Sequence, residues 1–168
     1  MNKIAVAALF LILIIVNWSI ATKETHLGEG KIIYLKLAPV DPRSLMQGDY
    51  MALRFDLSRE VSTALHQFDD DLKPSSGFVL ATLDDKLVAT FKSIYSNQKL
   101  NKNEILLQFR VRNEKVKFAT NAFFFQEGHA QYYESAQFGQ FRVNGDGELL
   151  LVAMFDETME KLEVSNID

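Results

Sequence analysis

Ile105-Leu106-Leu107-Gln108-Phe109-Arg110-Val111-Arg112 places Ile105, Leu107, Phe109 and Val111 on one face and Gln108, Arg110 and Arg112 on the other. Side chains of a strand alternate with period two, so this segment predicts a strand with one packed face and one face toward water or a partner. Asn113-Glu114 then makes a tight turn into Lys115 to Thr120, where Val116 and Phe118 point inward, and the pair reads as an antiparallel hairpin.

Working outward, Phe78 to Leu83 and Leu87 to Tyr95 read as strands joined at Asp84-Asp85, and Ser96 to Asn103 is a polar loop. Downstream, Asn121-Ala122-Phe123-Phe124-Phe125 is a continuous apolar run too short for a helix and is expected to be a fully buried strand, closed by Gln126-Glu127-Gly128. His129 to Phe138 has weak helical character. Phe141 to Val143 and Leu149 to Phe155 flank Asn144-Gly145-Asp146-Gly147, a strong hairpin signal, and Lys161 to Val164 is expected to add a last short strand.

Nearer the amino terminus, Lys31 to Leu37 puts Ile33, Leu35 and Leu37 on one face, and Pro39 and Pro42 end the strand by removing backbone donors. Met51, Leu53, Phe55 and Leu57 alternate with polar or small neighbours, so the two segments are expected to pair as a hairpin with an extended loop. Val61, Ala64, Leu65 and Phe68 follow at helical spacing behind Ser58 as N-cap, which predicts one short helix. The run Asp69-Asp70-Asp71 lacks the ligand spacing of a calcium loop and is expected to be a solvated loop.

Ile4 to Ala21 is apolar except at Asn17, Trp18 and Ser19. At about 1.5 Å per residue it spans a hydrocarbon core of about 30 Å, with Trp18 at the interface. It reads as a single-pass anchor in the bilayer; a cleaved secretory signal is the competing reading. Residues 1–22 are thus the anchor or signal peptide, 23–30 a polar linker, and 31–168 one domain outside the cytoplasm. The fold class expected is mainly β: a transmembrane helix, then one antiparallel β sandwich or barrel-like domain with one or two short helices.

The chain has 18 basic and 22 acidic side chains, a formal net charge of −4, and no basic stripe, so nucleic acid is not an expected partner. It has no cysteine, which excludes disulfides, thiol chemistry and thiolate metal sites, and leaves an apolar core rich in its 13 phenylalanines to hold the domain together. His26, His66 and His129 have no metal-ligand spacing and read as ordinary surface residues; no metal and no cofactor is expected. No glycine-rich elbow surrounds any serine.

Gly48-Asp49-Tyr50-Met51-Ala52-Leu53-Arg54-Phe55 resembles the signature of the bacterial GDYXXLXY family, with Phe55 where the family usually has tyrosine. Ala38 to Leu45 resembles the family's lead-in, and Phe123-Phe124-Phe125-Gln126-Glu127-Gly128 with Glu134 resembles its second block, Gln126 standing in place of a proline. The resemblance implies a membrane-tethered protein of the bacterial cytoplasmic membrane, working beside a polytopic membrane protein.

Asp41, Pro42 and Gly48 suit a sharp turn into a strand: Asp41 accepts from the turn, Pro42 fixes φ, and Gly48 allows a positive φ. The same turn carries Arg43, Asp49 and Tyr50, and with Glu127, Gly128 and Glu134 it is the candidate binding surface, either a polar cluster that a partner recognises or a structural corner. A noncatalytic interaction module is the expected function. The alternative is a cell-envelope hydrolase with Asp49 and Glu127 as acid and base.

Overall fold

The apolar stretch forms helix α1, Asn2–Glu29, long and apolar enough to cross a membrane and with none of its apolar window buried against the domain. Its polar side chains turn back onto the helix. Asn17 Nδ2 donates to the Leu13 carbonyl at 2.8 Å and Thr22 Oγ1 to the Trp18 carbonyl at 2.9 Å, which satisfies polar groups that lipid would leave bare. In a computed structural model, residues 2–38, 50–67, 72–120 and 122–163 are described.

Residues 23–29 of the linker expected at 23–30 are instead the last part of α1. Helix-forming Lys23, Glu24 and Leu27 continue the helix, and tertiary contact holds it: His26, only 5% exposed, donates from Nε2 to the Arg142 carbonyl at 2.8 Å. His26 is therefore not the surface residue that its isolation in sequence suggests. The helix ends at Glu29, and the next position holds glycine because its neighbours leave no space for a side chain: a Cβ at Gly30 would lie 2.5 Å from the His26 carbonyl oxygen and 2.9 Å from Arg142 Cβ. Arg142 Nη1 donates to the Gly30 carbonyl at 2.9 Å, and Lys23 lies 3.8 Å from Glu148.

The described residues are mainly β, 39% strand against 29% helix, so the expected class is the one observed, with antiparallel sheets that include a curled half-barrel. The strands are β1 Lys31–Lys36, β2 Tyr50–Ala52, β3 Ser75–Leu83, β4 Ala89–Ile94, β5 Glu104–Arg112, β6 Lys115–Lys117, β7 Ala122–Phe124, β8 Phe138–Val143 and β9 Leu149–Phe155. They form sheets in the orders β1-β8-β9, β2-β7 and β4-β3-β5-β6. A parallel bridge between Tyr34 and Val88 links the first sheet to the last, and bulges at Leu80/Ala81 and Gln140/Phe141 add the local bend and twist that curl them.

The hairpins expected at Asn113-Glu114 and Asn144 to Gly147 are present. Asn113 and Glu114 both have positive φ, +50° and +59°, the backbone of a type I′ turn. Asn144 Oδ1 accepts the Asp146 and Glu148 N–H groups, and Gly147, φ +76°, sits where a Cβ would come 3.0 Å from the Leu106 carbonyl oxygen.

Among the described residues the expected hairpin between β1 and the signature strand does not form. β1 pairs along its length with β8; among the described residues, the bridge from Leu37 to Phe55 and the Ala38 N–H donating to the Arg54 carbonyl at 2.8 Å join its end to the chain after β2. Alternation still sorts those side chains correctly, since Met51, Leu53, Phe55 and Leu57 are all buried. Helix α2 is Asp56–His66, three residues earlier than Ser58 as N-cap would start it: Phe55 is the N-cap, and the Asp56 carboxylate favours the positive end of the helix dipole. The segment after Gly128 gives only a 3-10 turn, Ala130–Tyr133, and the expected last strand is reduced to a bridge between Phe155 and Lys161.

The core gathers one face from each layer. Ile33, Leu35, Val61, Val79, Leu107, Phe141 and Met154 are wholly buried, and Phe55 meets Phe141 edge to face at 5.4 Å. Fully burying one such side chain contributes about 1.5–3 kcal/mol of transfer free energy, the source of stability open to a chain with no disulfide.

Candidate functional site

The signature strand and the triple-phenylalanine block are partners. β2 and β7 pair antiparallel with Tyr50 opposite Phe124, Met51 opposite Phe123 and Ala52 opposite Ala122. Period-two alternation sends Met51 and Phe123 to the protein side and Tyr50 and Phe124 to the other. Met51 is 1% exposed, whereas Phe124 is 73% exposed, its ring 5.7 Å from that of Tyr50. The expectation of a fully buried strand here is therefore wrong. Among the described residues β7 pairs only with β2, and the two-stranded ribbon has one outward face.

Beneath the ribbon, Tyr133 takes an edge-to-face contact with Phe123 at 4.9 Å and stacks on Phe125 at 5.4 Å. Such pairs add about 0.5–1.5 kcal/mol beyond the area they bury, so the ribbon stands on a fixed aromatic base. The chain leaves it through a turn in which the His129 N–H donates to the Gln126 carbonyl at 3.0 Å and Gly128 has φ +81°, the position of a type II turn that favours glycine.

Of the candidate residues, Tyr50, Glu127, Gly128 and Glu134 are described; Asp41, Pro42, Arg43, Gly48 and Asp49 lie outside the described residues, as do Asp69 to Asp71 and Val164. Tyr50 is brought to the aromatic block. Glu127 and Glu134 are exposed at its edge, and among the described residues neither has an ion-pair partner. Phe124 is the residue that sequence reasoning missed. Applying period two within the short phenylalanine run would have set it on the face opposite Phe123 and Phe125.

A second polar site lies on β5, where the Glu104 side chain is buried and fully partnered. The Asn101 N–H donates to Oε2 and Asn101 Nδ2 to Oε1, each at 2.8 Å, while Lys92 Nζ pairs with Oε1. The Asn101 N–H, the Lys92 ammonium and the Asn101 amide together hold this carboxyl at about 2, below its ordinary 4.5, against the opposing effect of burial. That arrangement fastens a loop. Among the described residues no group of three or more His, Cys, Asp or Glu side chains could hold a metal ion.

The family model described as GDYXXLXY protein matches residues 12–154, which takes in most of α1 and the strands through the greater part of β9. Comparison with curated proteins and with solved structures returns no match. With both signature blocks paired in one ribbon and the match running across most of its length, the chain belongs to the GDYXXLXY family.

Proposed function

We propose that this chain is a membrane-anchored interaction module, accessory to a polytopic protein of the bacterial cytoplasmic membrane. Residues Ile4 to Ala21 of an uncleaved α1 cross the bilayer once, with the amino terminus in the cytoplasm and the β domain outside it. The β2–β7 ribbon is the docking face. The observation that carries the reading is the exposure of Phe124, 73%, on a ribbon whose opposite face is locked into the core. A large aromatic ring held outward on a rigid base is the kind of anchor that dominates protein interfaces, because few rotamers are lost when it is covered. The Tyr50 ring beside it, and the exposed carboxylates of Glu127 and Glu134 near the turn, supply a polar rim.

Affinity purification from detergent-solubilised membranes tests this. The expected result is a polytopic membrane protein that copurifies with the natural chain and is lost with Phe124→Ser, while the variant inserts and folds normally. An equal set of copurifying proteins for both chains would refute the ribbon as the docking face.

A further inference from the structure

A groove of about 540 Å³, within the range of ligand-binding clefts, opens between β6, the segment Ala52 to Phe55 and the first turns of α2. Its floor is apolar, made by buried Leu53, Phe55 and Phe118. Its rim carries four cations, Arg54, Arg59, Lys115 and Lys117, against the single carboxylate of Glu114, in a chain whose net charge is −4. Arg59 is paired with Asp56 at 3.3 Å; Arg54, Lys115 and Lys117 have no ion-pair partner among the described residues.

The groove also reaches a strand edge, where Val116 is only 8% exposed and α2 packs beside β6. Lys115, Val116, Lys117 and Phe118 all line it, although neighbours along a strand point to opposite faces, so it is the edge of β6 that faces the opening. β6 is terminal in its sheet. Behind the type I′ turn, Arg112 with Lys115 and Arg110 with Lys117 are the hydrogen-bonded pairs, which leaves the N–H and C=O of Val116 on the outer edge. Among the described residues nothing bonds to either group.

We infer that this groove takes a short, extended, acidic peptide segment of a partner protein, which pairs its backbone with Val116 on the β6 edge and sets its carboxylates against Arg54, Lys115 and Lys117. Main-chain pairing supplies affinity, alternate side chains meet the apolar floor, and the cations select an acidic sequence. The inference rests on the reading of the chain as an interaction module and gives that module a second contact, of different chemistry from the Phe124 ribbon.

Fluorescence anisotropy on the full chain in neutral detergent micelles tests it, with a labelled six-residue peptide alternating valine and glutamate as probe. Its counterparts are the same peptide with lysine for glutamate, and the acidic peptide with methylated backbone nitrogens. The acidic probe is expected to bind and to weaken with added salt. Its affinity should fall at least tenfold on backbone methylation, and at least tenfold for the exposed, fold-neutral variants Arg54→Glu and Lys115→Glu; the lysine peptide should not bind. Equal binding of the methylated and unmethylated acidic peptides, displacement of the probe by an equal concentration of free glutamate, or no binding at all would each overturn the proposal. Peptide binding that fails while copurification through Phe124 persists removes the groove and leaves the module reading standing.

Discussion

Tyr50 and Phe124 stand opposite each other in the β2–β7 register with ring centroids 5.7 Å apart, which joins the signature strand to the aromatic block far downstream. Their outward position separates surface from scaffold within a single ribbon. Phe124→Ala should cost no more than about 1 kcal/mol, the worth of one exposed cross-strand pair. Met51→Ala, a deletion in the buried layer beneath, should cost about 2–5 kcal/mol. Urea denaturation of the two variants side by side checks the contrast, and comparable losses would mean that Phe124 is part of the core.

The junction between α1 and the β domain is specified by close approach at Gly30. Gly30→Ala would force a Cβ to 2.5 Å from the His26 carbonyl oxygen, and backbone there has no room to yield. A loss of about 1–3 kcal/mol is expected, with protease cleavage appearing near residue 30 as the helix end comes away from β8. Arg142→Ala should produce the same cleavage through loss of its bond to the Gly30 carbonyl.

Much of this was legible in the sequence, and the misses have a common physical cause. Strand faces follow from local alternation, so Ile105 to Val111 and Met51 to Leu57 were sorted correctly. Turns at Asn113-Glu114 and Asn144 to Gly147 follow from local chemistry as well. Partners do not. β1 joins β8 rather than the strand after Pro42, because pairing is decided by the packing of the whole sheet. The helical end of α1 depends likewise on the distant Arg142 carbonyl, and the exposure of Phe124 depends on what lies beyond β7.

The acid limb of the stability profile should carry the signature of Glu104. Its carboxyl is at about 2 in the folded chain against an ordinary 4.5, so its contribution is fully present above about 4.5 and is lost as pH falls through 2. Glu104→Gln should lower the midpoint of thermal unfolding at neutral pH and flatten its fall between those two pH values. Some slope should remain, because Asp156 is also held below its ordinary value, by the Glu160 N–H, the Thr158 hydroxyl and the Thr158 N–H. An unchanged acid limb in Glu104→Gln would count against the Lys92–Glu104–Asn101 arrangement.

Glu114 occupies a left-handed backbone position, φ +59°, in the β5–β6 turn. A side chain pays about 1–2 kcal/mol there and glycine does not, although glycine loses more entropy on folding. Glu114→Gly should therefore stabilise the protein by about 0.5–1 kcal/mol, read as a raised urea midpoint with unchanged m-value. The same change removes the lone carboxylate from the rim of the basic groove and should tighten binding of the acidic peptide.

The most direct test of the central claim is site-specific photo-crosslinking from position 124 in intact cells. If the ribbon is a docking face held at the membrane, a photoreactive side chain there gives one discrete adduct with a polytopic membrane protein, and the same group at the exposed position 157 gives none. Equal labelling from both positions, or no adduct from position 124 in a chain that is folded and inserted, would contradict the account.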